Sequence, residues 1–126
     1  MVTEDYVSFE IAKLLKENGF EGRMHTFYTE EGTEMESAYV VPSNFFPIYR
    51  PTLQMAMKWL RDAHKIGVFP STYAFMVGKN GSAKHVYGTT IVNLETYELM
   101  TNDLMPMPTY EEATEAAIKY CLENLI

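Results

Sequence analysis

Ile66-Gly67-Val68-Phe69-Pro70-Ser71-Thr72-Tyr73-Ala74-Phe75-Met76-Val77-Gly78-Lys79-Asn80-Gly81, continuing to Val92, is the stretch that decides the fold. From Thr72 the side chains alternate. Tyr73, Phe75 and Val77 share one face, Ala74 and Met76 the other, which is the period of an extended strand. Asn80-Gly81 is the strongest short hairpin signal, because a type I′ turn needs positive φ at both central residues. It predicts an antiparallel pair between residues 72–78 and 84–92. Upstream, residues 66–69 read as a separate short strand that Pro70-Ser71 closes.

Helices flank this region. Thr109-Tyr110-Glu111-Glu112 is a capping box: a threonine hydroxyl meets the Glu112 amide as a helix starts. Pro106 and Pro108 stop anything upstream from running into it. Ala113, Ala116, Ala117, Tyr120, Cys121 and Leu125 make its expected apolar face. A second helix starts at Thr52, with Leu53, Ala56, Met57, Leu60 and Ala63 as its stripe. A first helix covers about residues 8–18, with Val7, Ile11, Leu14 and Leu15 at helical spacing. Ser8 or, a turn earlier, Thr3 caps it. Gly19 supplies a left-handed end and Phe20 folds back onto the last turn. Residues 24–29 and 37–41 read as one more strand pair around Glu30-Glu31-Gly32-Thr33. The expectation is a single α+β domain over residues 1–126, an antiparallel sheet with about three helices in the order α-β-β-α-β-β-β-α.

Composition narrows the function classes. Of the 126 residues 47% are hydrophobic and 21% charged, too apolar for a disordered chain. No run approaches a membrane span, and the acidic start lacks the plan of a signal peptide, so a cytoplasmic setting without membrane contact is expected. The net charge is −7. Between Arg50 and Lys84, however, six basic residues face Asp62 alone, giving +5 and leaving −12 elsewhere. That basic segment either forms a binding patch or is neutralised within the fold. Cys121 is the only cysteine, which excludes an intrachain disulfide and a cysteine-based zinc site. It falls on an apolar helix face, where a small buried hydrophobe is its role.

The helices carry a resemblance. Tyr6-Val7-Ser8-Phe9-Glu10-Ile11-Ala12-Lys13-Leu14-Leu15-Lys16, then Pro51-Thr52-Leu53-Gln54-Met55-Ala56-Met57-Lys58-Trp59-Leu60-Arg61, then Tyr110-Glu111-Glu112-Ala113 through Tyr120-Cys121-Leu122-Glu123-Asn124-Leu125-Ile126, look like a family. Its members are uncharacterised small proteins of Bacteroides-type gut bacteria and of their phages and prophages. The likeness covers roughly a third of the chain and fades through the β region. It implies a setting and carries over no catalytic residue, cofactor or partner.

Chemical motifs are sparse. Gly78-Lys79-Asn80-Gly81 fits neither a phosphate loop nor a dinucleotide fingerprint. His25, His64 and His85 are isolated; His25-Thr26 alone comes near a two-histidine phosphoesterase motif, and the second copy is missing. His25, His85 and a glutamate would have to meet in space to hold a metal. The acidic run Glu30, Glu31, Glu34 and Glu36 lacks the ligand spacing of a calcium loop and reads as a solvated hairpin tip. The order α-β-β-β-α resembles that of double-stranded RNA-binding domains, but Glu111, Glu112 and Glu115 stand where lysines would meet phosphates.

Apolar surface remains. Asn44-Phe45-Phe46-Pro47-Ile48-Tyr49 is a bulky run where a polar linker is usual, and Met100, Met105 and Met107 precede the last helix. Phe45, Phe46, Ile48 and Tyr49 are therefore the expected partner-binding residues, with a second copy favoured slightly over the domain's own core as their cover. The reading is a non-enzymatic accessory protein that contacts another protein, with no cofactor, catalytic residue or metal ligand assigned. Its rival is a small-molecule or metal-dependent enzyme with a site assembled from scattered His, Glu and Tyr residues.

An excess of seven negative charges predicts no binding to duplex DNA or RNA at physiological salt. A gel-shift titration should show no complex; tight, salt-sensitive binding would contradict this and point to the segment from Arg50 to Lys84.

Overall fold

Side-chain caps set where the helices begin. The computed structural model describes residues 5–20, 26–29, 31–36, 48–76, 83–100, 102 and 104–126. Helix α1 (Phe9–Glu17) starts behind Ser8, whose Oγ accepts from the Ile11 amide at 3.4 Å. Helix α2 (Leu53–His64) starts behind Thr52, which accepts from the Met55 amide at 3.2 Å. Helix α3 (Tyr110–Asn124) starts behind Thr109, which accepts from the Glu112 amide at 3.1 Å. Each hydroxyl satisfies an amide that the helix itself leaves open. Gly19 ends α1 at φ +92°, and the Phe20 amide bonds back to the Leu15 carbonyl at 2.9 Å. The Phe20 ring then meets the Trp59 ring edge-on at 5.7 Å, which ties α1 to α2.

The strands of the described residues form two antiparallel sheets. The first contains β1 (Thr26–Tyr28), β2 (Glu34–Glu36) and β3 (Ile48–Tyr49) in the order β2-β1-β3. The second contains β4 (Ile66–Met76), β5 (Ala83–Asn93) and β6 (Glu98–Leu99) in the order β4-β5-β6. The α+β class and the expected order of elements are present, with β3 added ahead of α2. Strand β2 lies earlier than the strand expected at 37–41, which falls outside the described residues, as does the Asn80-Gly81 turn.

Pro70 does not end its strand, contrary to the sequence reading. The Tyr87 amide and carbonyl both bond to Met107, and the Ile91 carbonyl accepts from the Met100 amide. Those residues therefore turn their backbone groups away from β4, and by the alternation of an antiparallel ladder so does Thr89, the partner of Pro70. The missing N–H of Pro70 points off the sheet edge, where no ladder bond is lost.

The core forms where all three helices meet the sheets. Leu15, Leu60, Ile91 and Ile118, one from each of α1, α2, β5 and α3, are almost wholly buried. Helices α2 and α3 pack on β4, and α3 also packs on β5, covering Ile66, Val68 and Ile91. Two helix faces differ from expectation. Ala63 is exposed, so the α2 stripe ends at Leu60. On α3, Thr114, Ile118 and Leu122 are buried, whereas Ala116, Tyr120 and Leu125 are half-buried, because α3 touches both helices and the second sheet. The buried Thr114 hydroxyl donates to the Tyr110 carbonyl at 2.8 Å, so its burial leaves no polar group unpaired.

Thr109→Ala should destabilise the domain by about 1 kcal/mol, and Leu60→Ala by about 2–5 kcal/mol. Urea midpoints check both, and a parent-like midpoint for Thr109→Ala would mean that α3 does not depend on that cap.

Candidate functional site

A cluster of charged and aromatic side chains surrounds Arg50. The segment 5–8 runs beside 51–53: the Val7 amide donates to the Pro51 carbonyl at 3.0 Å and the Leu53 amide to the Asp5 carbonyl at 2.9 Å. On the other side, the Arg50 amide donates to the Thr26 carbonyl at 3.0 Å, which fixes Arg50 against β1. Its guanidinium carbon sits 4.2 Å from the centre of the Tyr6 ring and 5.6 Å from that of Tyr28. Glu34 of β2 approaches it to 3.5 Å. The side chain is only 17% exposed, and its Nε is buried without a hydrogen-bond partner among the described residues. Tyr28 donates its hydroxyl to the Val7 carbonyl at 2.6 Å; burial raises its pKa, and nearby Arg50 opposes that rise.

Beside this stack opens a cleft of about 400 Å³ at the start of α3. Asp5, Glu34, Glu111, Glu112 and Glu115 line it, so five carboxylates face one guanidinium. Glu111 and Glu112 stand in the first turn of α3, where the helix dipole favours negative charge. Glu115 accepts a hydrogen bond from the Ser8 amide, and Lys119 pairs with Glu10 at 2.7 Å, both joining α3 to α1. The work of this cluster is electrostatic. Arg50 offsets part of a carboxylate surplus at the junction of the first sheet with α1 and α3. Its role went unread in the sequence, where Arg50 counted only as the start of a basic segment; Tyr6 and Tyr28 gave no signal of their own.

The residues singled out by sequence do not gather there. Ile48 is buried in β3 and belongs to the core; Tyr49, half-buried, packs against it, while Phe45 and Phe46 lie outside the described residues. Ile48 thus offers no surface to a partner. His64 sits with its ring 4.7 Å from that of Trp59, His85 is exposed on β5, and His25 lies outside the described residues. Among the described residues no group of three His, Cys, Asp or Glu side chains could hold a metal ion. Nor, among them, is any helix long and apolar enough to cross a membrane. Cys121 is fully buried on α3, and burial pushes its thiol up to about 12, so it is neutral at physiological pH. In the basic segment, Lys58 and Arg61 both pair with Asp62 on α2.

A second surface was legible only once the strands were in register. Gly67 pairs with Val92, Phe69 with Thr90, and Val92 with Leu99, so these residues share the face of β4-β5-β6 turned away from the helices. Phe69 and Leu94 meet above Gly67: a Cβ there would lie 2.7 Å from the Phe69 ring and 3.1 Å from the Leu94 side chain. Phe69 is nevertheless 52% exposed and Leu99 73%. The described helices α2 and α3 pack on the opposite face, against Ile66, Val68 and Ile91.

Comparison with protein-family models, with curated proteins and with solved structures finds no match to the chain.

Replacing Arg50 by Leu should destabilise the fold by about 1–2 kcal/mol at neutral pH through lost cation–π contact. Urea midpoints of the parent and of Arg50→Leu check this, and coincident midpoints would contradict a stabilising role for the stacked guanidinium.

Proposed function

We propose that this chain is a non-enzymatic accessory factor of the phage or prophage kind, acting in the cytoplasm by contact with protein. The contact surface is the outer face of β4-β5-β6. The observation that carries the reading is the exposure of Phe69 and Leu99 on a sheet face whose opposite side is packed under α2 and α3. Bulky apolar groups clustered on an open face mark interaction sites in folded proteins. A flat, uncharged sheet face suits a protein surface better than a small metabolite, which calls for a concave pocket with converging polar groups. The Arg50 cleft is concave, but its arginine is already held by Tyr6, Tyr28 and Glu34.

A photo-crosslinking phenylalanine analogue placed at position 69 tests the reading in cells of a Bacteroides-type host. Protein adducts should form from position 69, and only at background level from Gln54, an exposed site on α2. Equal yields at the two positions, or no protein adduct at 69, would overturn the proposal.

A further inference from the structure

We infer that the occupant of this face is a second copy of the chain, packed sheet against sheet about a twofold axis. The inference rests on the reading of that face as a contact surface, and it adds what the partner is.

Charge is the first argument. The chain carries a net −7, yet Phe69, Ser71, Gly88, Thr90, Val92 and Leu99, which register on this face, are all uncharged. The next charge along the ladder is Lys84, opposite Phe75 towards the far end. A partner presenting charged groups here would have to strip them of water against Phe69 and Leu99 without supplying them a counter-charge. The fitting surface is flat, extended and neutral. The same face of another copy has those properties, and the two acidic bodies then point away from each other.

Relief is the second argument. Phe69 and Leu94 form a ridge over Gly67, while the neighbouring pair Ser71 and Gly88 leaves a shallow place two residues further on. A twofold axis between them seats the Phe69 ring of each copy in the shallow of the other, the self-complementary arrangement that a symmetric interface requires. Two stacked sheets settle about 10 Å apart with side chains interleaved.

Size sets the strength. Two strands of 11 residues at about 3.4 Å each, spaced about 4.8 Å apart, with the two-residue β6 beside them, offer roughly 350–400 Å² per copy. A total of roughly 700–800 Å² falls below the usual range of stable interfaces, so the dimer is weak, reversible and grows with concentration.

Sedimentation velocity of the purified full chain, from micromolar to millimolar, reads this directly. The parent should shift from monomer to dimer across that range. Phe69→Asp and Leu99→Lys should each weaken dimerisation by at least about tenfold, a loss of at least 1.4 kcal/mol in association free energy. The Leu99→Lys urea midpoint should stay near the parent's, because that side chain is largely exposed. Thr90→Arg, at an exposed position that contributes nothing to the core, guards against misfolding of the other two. The crosslinker at position 69 should yield an adduct of twice the chain mass. A parent that stays monomeric throughout, or a dimer that survives all three substitutions, would overturn the second copy. Adducts at 69 with a different protein only would also overturn it while leaving the contact reading intact, whereas no adduct at 69 removes both.

Discussion

Neither three-stranded sheet can stand without an apolar layer over one of its faces, and the described residues hold three helices to supply both. The solution is a shared core in which Leu15, Leu60, Ile91 and Ile118 meet, so that α1 packs against β3 of the first sheet while α2 and α3 lie against the second. Sharing has a geometric consequence. Once the buried faces of α2 and α3 are turned to Ile66, Val68 and Ile91, none of the three helices remains to lie over the opposite face of β4-β5-β6. Phe69 and Leu99 are exposed for that reason.

The groups that look chemically active are explained by the same junction. Arg50 is a cation stacked on two tyrosines beside five carboxylates, and it holds β1 and β3 near the starts of α1 and α3. Cys121, with its thiol kept neutral by burial, fills space in α3 as a small hydrophobe. His64 packs against Trp59. These side chains stabilise a frame, and the surface that the frame leaves open is apolar and neutral.

Much of the frame was legible because its signals are local. Ser8, Thr52 and Thr109 announce helix starts through hydroxyls that reach amides three residues on, and Gly19 announces an end through its positive φ. Cys121 was placed correctly on a buried face by periodicity alone. What depends on a distant partner was not legible. Pro70 reads as a strand end until its position on the outer edge of β4 shows that its missing N–H is not needed. Strand β3 is two residues long and exists because β1 lies beside it, a pairing that no local pattern encodes. Phe69 looks like core by composition, and only the register opposite Thr90 sends it to the outer face. Ile48 erred the other way: its apolar run suggested surface contact, and the fold buries it.

The one-sided covering of the second sheet is the claim on which the rest turns. Methyl-resolved NMR of the dilute chain with a soluble paramagnetic agent measures it residue by residue. Val92 and Leu99 should broaden strongly while Ile66, Val68 and Ile91 stay sharp, since register puts the first two on the open face and the others under the helices. Equal protection of the two sets at a concentration where the chain is monomeric would mean that something in the chain covers both faces, and the account would fail.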